Sequence, residues 1–308
     1  MDIKRVVKYS FITMALIIFI ITAINTIVIY QIKENNSTKQ SINDLVSMQE
    51  KMNELLKDTT TVKSIEELEQ KKKDFIKYEL EFEEIEKRFI SKNENDLVDF
   101  FISDIHENEI ISTKLKLLFE SEKQIEDVFD EIYKLQENKI KLTKEFEVNY
   151  PLENKMRKEL DIKIAELKNY EVFRLFSDVE YYSKEALYQY RDKKTLDKWL
   201  LKIELLKNNY ENEKLENYFE LVKKLGNDVV ELKNIEDKEL ILRNKILDVI
   251  NLNKEHSSLI ETKILQLASN FINYTYLSIF FLLVIIIGLI VILGYKVYRI
   301  FGLFFVEF

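Results

Sequence analysis

Two stretches without a charged residue constrain this chain more than any other feature. From Lys8 to Lys33 no Asp, Glu, Lys or Arg intervenes, and Tyr9 and Tyr30 enclose the run SFITMALIIFIITAINTIVI. From Lys263 to Lys296 the same holds, with LSIFFLLVIIIGLIVIL at residues 277–293 in the middle. About 20 apolar residues in a helix cross the ~30 Å hydrocarbon layer of a bilayer. Tyr9, Tyr30, Tyr274, Tyr276 and Tyr295 stand where an interfacial aromatic belt belongs. A cleaved signal peptide is the competing reading of the first stretch. The run is longer than the apolar region of such a peptide, and no A-x-A site follows it. Residues 9–30 and 275–295 are therefore expected to be membrane spans.

Lys4, Arg5 and Lys8 precede the first span, and Lys296 and Arg299 follow the second. By the positive-inside rule residues 1–8 and 296–308 are cytoplasmic, and residues 31–274 form one long extracytoplasmic loop. The chain carries a formal charge of −8. With both termini basic, the outer loop is more acidic still, which argues against a nucleic-acid partner. Cysteine is absent, so no disulfide can staple the loop.

The loop contains one Gly, Gly226, and one Pro, Pro151. Parallel α/β folds and β-sandwiches need frequent turn residues, and this chain lacks them. It also holds no phosphate-binding glycine loop, no GxGxxG and no HExxH. No acid, base and nucleophile constellation can be assembled, so a non-enzyme is expected, with no cofactor and no metal. His106 and His256 are the only histidines, and they share no local ligand spacing.

The few polar clusters divide the chain into helices. The first span should continue to the DTTT cluster at 58–61. Ser64-x-x-Glu67 is a capping box that can open a second helix, running to about Lys92. A third is expected from Asn95 or Asp96 to Val148, closed by Asn149-Tyr150-Pro151, with Pro151 opening a fourth that ends near Tyr190. A fifth should run from Thr195 to Leu225. Gly226 would cap it, and Asn227 or Asp228 would start a sixth that enters the membrane.

Apolar stripes at heptad spacing follow on three of these helices. Ile125, Val128, Ile132, Leu135, Leu142 and Phe146 are broken once by Lys139. Ile162, Ala165, Asn169, Val172, Phe176, Val179, Ser183, Ala186 and Tyr190 mark the fourth helix; Ile246, Ile250, Asn253, Ser257, Ile260, Ile264, Leu267 and Phe271 mark the sixth. Such stripes are bundle seams. The helix lengths close the path only if helices one and two reach part-way up, four and five lie beyond them, and three and six span both levels. The expected fold is all-α: two transmembrane helices flanking two stacked four-helix bundles that share two long helices.

Glu86, Lys87, Phe89, Ile90, Lys92 and Glu94 end the second helix, and Lys184, Leu187 and Asp192 repeat the character more faintly. This layout resembles the helical bimodular sensor domain, the input of bacterial chemoreceptors and sensor histidine kinases. Its pattern there begins with an arginine pair, where this chain has Glu83 and Glu84, and Glu180 and Tyr181 in the second copy. The resemblance implies a two-pass protein of the bacterial cytoplasmic (inner) membrane, a homodimer, and a small-molecule ligand such as an organic acid, or a periplasmic partner. It also implies an output kinase or chemotaxis module, for which residues 296–308 leave no room; a fragment of a longer receptor is expected.

Arg174, near Tyr170 on the same helix, can offer a carboxylate a bidentate fork, or it can simply be solvated. Asn169 in the fourth seam, and Asn253 and Ser257 in the sixth, can line a ligand pocket or specify register. These five residues are the candidate ligand-binding set. The competing function is a membrane-anchored scaffolding coiled coil with no ligand.

Overall fold

The computed structural model describes residues 3–91 and 109–306. The start of the third helix near Asn95, together with Lys92, Glu94 and His106, lies outside the described residues. Within them the chain is helical with no strand. Its elements are α1 (Ile3–Thr59), α2 (Ile65–Ser91), α3 (Glu109–Glu166), α4 (Tyr170–Lys184), a π-helical turn (Glu185–Gln189), α5 (Lys193–Asn209) and α6 (Glu213–Val306).

α1 stops where three threonines turn their hydroxyls back on the helix. Thr59 donates to the Leu55 carbonyl at 2.7 Å, Thr60 to Lys57 at 2.8 Å and Thr61 to Asp58 at 2.8 Å. Such hydroxyl-to-carbonyl bonds compete with the helical ladder and favour its ending here. The capping box is present at the start of α2. The Glu67 amide donates to Ser64 Oγ at 3.2 Å, and the Glu67 carboxylate returns to the Lys63 amide at 3.4 Å, one residue before the cap.

Two expected boundaries are corrected. Pro151 does not open a helix; it lies inside α3, which runs on to Glu166. A mid-helix proline costs about 3 kcal/mol. Continuing the helix buries Leu160 and Ile164 completely, and each such side chain contributes roughly 1.5–3 kcal/mol. Burial matches or exceeds the penalty, so the helix persists. The break comes at Lys168, in the left-handed region at φ 54°, followed by Asn169. Ile162 and Ala165, expected in the fourth seam, are accordingly exposed, and so is Tyr190, which lies past the π-helical turn; Val172, Phe176, Val179, Ser183 and Ala186 are buried as the spacing predicts.

Gly226 is likewise no cap. The chain turns earlier, at Tyr210–Asn212, where Asn212 accepts from the Lys214 amide at 3.0 Å, and Gly226 sits inside α6. A β-carbon there would fall 2.1 Å from Leu196 Cδ1 of α5. Close helix approach is the reason for glycine at this point.

The chain divides into two units, described separately. One comprises residues 48–81 and 121–251. It holds two larger cores. In the first, Leu160 of α3, Phe176 of α4, Trp199 and Ile203 of α5, and Tyr218 and Val222 of α6 pack with no appreciable exposure. In the second, Met52 and Leu56 of α1, Phe75 of α2, Ile125, Phe129 and Ile132 of α3, and Ile246 and Ile250 of α6 pack together. Phe75 and Phe129 stack there with centroids 3.8 Å apart. Each core thus draws on four helices, as the stripes on α3 and α6 require.

The other unit comprises residues 1–47, 82–120 and 252–308. Ile42 and Leu45 of α1, Phe82 of α2, Ile111 and Leu118 of α3, and Ile260 and Ile264 of α6 are buried in it. Lys39 pairs with Glu261. Two helices are long and apolar enough to cross a membrane, α1 and α6, with apolar windows of mean hydropathy 2.6 and 2.9 that are not buried at all. Phe11, Phe19 and Ile29 on α1, and Phe280, Ile287 and Val291 on α6, stand exposed. Polar side chains within them bond their own helix: Thr22 donates to the Ile18 carbonyl at 2.8 Å, and Ser278 to Tyr274 at 2.9 Å.

Candidate functional site

The five residues singled out by sequence fall in both units. Asn169 is the N-cap of α4: its Oδ1 accepts from the amides of Glu171 at 3.0 Å and Val172 at 3.4 Å. Its polarity therefore has a local structural role. Tyr170 and Arg174 follow it on α4, and both are exposed. Asn253 and Ser257 belong to the other unit, where both are buried on the seam of α6 beside His256. The structure brings Asn169, Tyr170 and Arg174 together along one helix start, and Asn253 and Ser257 together one turn apart.

Sequence reasoning noted Lys139 only as an interruption of the α3 stripe. Its Nζ donates to Glu239 Oε2 on α6 at 2.7 Å and to the Thr60 carbonyl at 3.5 Å. Glu239 lies seven residues before Ile246, on the same face of α6, so the heptad register itself was the signal that could have found it. Its side chain is only 7% exposed, and burial holds its pKa above the usual carboxylate range although Lys139 opposes the shift. Glu239 Oε1 is buried without a partner.

Beside this pair is a cavity of about 420 Å³ between the α1–α2 turn and α3. Thr60, Thr61, Val62 and Lys63 form one wall; Gln136, Lys139, Thr143, Lys144 and Glu147 form the other. Gln136 is 2% exposed and donates through Nε2 to the Val62 carbonyl at 2.5 Å, while its Oε1 has no partner. Lys63, Lys144 and Glu147 are exposed at the rim. Volumes of about 300–1,000 Å³ with a few convergent polar groups are usual for small-ligand sites.

A second polar cluster is buried in the core that includes α4 and α5. Glu153 of α3, wholly buried, accepts from Tyr218 Oη of α6 at 2.8 Å and from Arg157 Nε at 3.0 Å. Arg157 also reaches Glu180 of α4 at 3.5 Å. Burial raises the pKa of Glu153 despite the Arg157 and Tyr218 contacts, and raises that of Tyr218 as well. Nearby, a cavity of about 290 Å³ is lined by Phe146, Leu187, Tyr188, Arg191, Val229 and Leu232. Its one cation, Arg191, is already held by both oxygens of Glu236, at 2.9 and 3.2 Å. Of the two cavities, the one at the α1–α2 turn is better equipped to take a charged ligand. Among the described residues, no group of three or more His, Cys, Asp or Glu is placed to hold a metal ion.

Fold and site together define an all-helical protein with two helices able to cross a membrane and a polar cavity in its helical body. No protein-family model matches the chain, and neither a curated protein nor a solved structure does.

Proposed function

We propose that the chain is the ligand-sensing input module of a bacterial transmembrane signalling receptor, a sensor histidine kinase or chemoreceptor. In this reading it crosses the cytoplasmic membrane twice with both termini inside. Residues 31–274 form an extracytoplasmic domain of two stacked four-helix bundles, and the signal passes through the second span to a cytoplasmic output. The observation that carries the reading is the continuity of α6. One helix runs from Glu213, in a core with α3, α4 and α5, to Val306, beyond an apolar window long enough for a bilayer. A continuous helix of this kind is the simplest route for a displacement or rotation in this reading. A ligand biases such a device only by binding its two states with different affinity. The exposed Leu240, Ile241 and Leu247 on α6 support a second copy of the chain as partner.

Because the chain has no cysteine, single introduced thiols report topology without background. A membrane-impermeant maleimide on intact cells should label Ser177→Cys and leave Lys8→Cys unlabelled; the reverse pattern would end the sensor reading. A chimera joining α6 in helical register to a kinase core should then show phosphorylation that depends on residues 31–274. Three glycines inserted after Asn270 should uncouple it.

A further inference from the structure

We infer that the cavity bounded by Phe146, the π-helical turn and Leu232 is a binding site for an uncharged aromatic compound of one or two rings. The inference rests on the sensor reading above for its purpose, and on the cavity alone for its chemistry.

This cavity of about 290 Å³ lies where the end of α4 meets α3 and α6. Leu187, Val229 and Leu232, all buried, give it an apolar floor. Phe146 and Tyr188 add two aromatic rings to its lining. Both are steadied by Tyr150. Phe146 stacks on that ring with centroids 5.4 Å apart, and Tyr188 meets it edge to face at 6.0 Å.

The backbone at this corner is unusual twice in succession. Glu185–Gln189 is π-helical, closed by a bond from the Tyr190 amide to the Glu185 carbonyl at 2.9 Å. Arg191 then lies in the left-handed region at φ 53°. The wide turn shifts the helical phase, so Tyr190 stands exposed where the stripe would bury it. Backbone states of this kind are costly and gather where a ligand is held.

Charge decides the class of ligand. Arg191, the one ionic group in the lining, gives two N–H donors to the oxygens of Glu236, at 2.9 and 3.2 Å. A ligand carboxylate would have to displace Glu236 from both bonds. A ligand cation would meet the guanidinium while Glu236 is already engaged. Either would also exchange water for a largely apolar wall. A guanidinium bonded along its edge still offers its flat face, on which a neutral ring can stack. An aliphatic compound of equal size would gain the floor but forgo that stacking and the edge-to-face contacts with Phe146 and Tyr188. Benzene fills an apolar cavity of about 150 Å³, so about 290 Å³ takes a substituted ring or two fused rings. Val229 and Leu232 belong to α6, so a ligand seated on them bears directly on the helix that carries the second apolar window.

The test is calorimetric titration of the full chain in lipid nanodiscs, with the heats of empty nanodiscs of the same lipid subtracted. Benzyl alcohol and indole are the uncharged aromatic probes; benzoate, benzylamine and cyclohexylmethanol are the anionic, cationic and non-aromatic comparisons. At least one aromatic probe should bind saturably at one site per chain, and the three comparison compounds at least about tenfold more weakly. Tyr188→Ala, at an exposed position, should weaken binding about three- to tenfold, the weight of one lost aromatic contact. Leu232→Trp should fill the cavity and abolish binding, with folding of both variants checked by circular dichroism. If neither aromatic probe saturates, if any comparison compound binds as tightly, or if both folded variants retain full affinity, the assignment is wrong. If a probe binds with these preferences but does not alter the kinase chimera, the site stands and the sensor reading falls.

Discussion

Lys139 of α3 and Glu239 of α6 meet at 2.7 Å on seam positions that a helix bundle ordinarily fills with apolar side chains. Glu239 is 7% exposed and Lys139 23%, so the pair is desolvated on one side and open to solvent on the other. The apolar core of Phe75, Phe129 and Ile246 lies in the same unit, as does the small cluster of Val62, Leu68 and Ile140 beside the cavity. A buried pair of this kind adds little net stability, because its attraction is offset by desolvation, but it is costly to break from one side.

Lys139→Met should therefore destabilise the chain by about 3 kcal/mol, the low end for stranding a buried charge, since Lys139 keeps some contact with water. Lys139→Met combined with Glu239→Leu should recover most of that loss. Urea melts of the wild type, both single variants and the double variant give the coupling directly. Additive effects would mean that the two side chains do not interact in solution.

Glu153 makes a pH prediction of definite sign. Its folded pKa is raised above the ordinary value of 4.5, chiefly by burial. Between the unfolded and folded values the native chain holds a proton that the unfolded chain has released. Stability from this group therefore falls as pH rises through that window and is fully present below it. Glu239 and Asp228 are also raised by burial and act in the same direction. Glu153→Gln cannot titrate and should flatten the slope of melting temperature against pH above 4.5 without abolishing it. An unchanged slope would show that Glu153 is ionised throughout.

Asn169→Ala should cost about 0.5–2 kcal/mol, the usual loss when a helix cap is removed. The orphaned amides of Glu171 and Val172 are the physical cause. Asn169→Asp and Asn169→Ser keep an accepting oxygen and should restore most of the loss. If Asn169 instead contacts ligand, all three variants lower affinity while leaving the melt unaltered.

The seam of α6 was legible from spacing alone. Ile246, Ile250, Asn253, Ser257, Ile260 and Ile264 are buried as the heptad register requires, and Leu267 and Phe271, the last of the stripe, are half-buried, because a long helix repeats its geometry and one correct phase carries along it. The turns were less legible. Pro151 looked like a boundary because local conformational preference was weighed without the burial of Leu160 and Ile164, which only the folded core supplies. Asn169 fits both a seam and a cap, and spacing cannot separate the two when the phase changes at that very residue. The cavity was invisible, since Lys63 and Lys144 come together only when the α1–α2 turn lies against α3.

Gly226 carries the last prediction, because two effects of known sign compete there. Glycine inside a helix is worse than alanine by about 1 kcal/mol, so Gly226→Ala in an isolated α6 would be stabilising. In the folded chain the added β-carbon would meet Leu196 Cδ1 at 2.1 Å, Cδ2 at 3.1 Å and Cγ at 3.1 Å. Leu196 is itself fully buried against Trp199 and Leu225 in one core, so its side chain has little room to retreat. Overpacking of this kind costs about 1–3 kcal/mol and outweighs the gain in helix propensity in most of that range. The single variant should lower the melting temperature, and Gly226→Ala with Leu196→Ala, which removes the clashing atoms, should lose less than the two separate changes added together. A stabilised single variant would mean that α5 stands farther from α6 than 2.1 Å to that β-carbon allows.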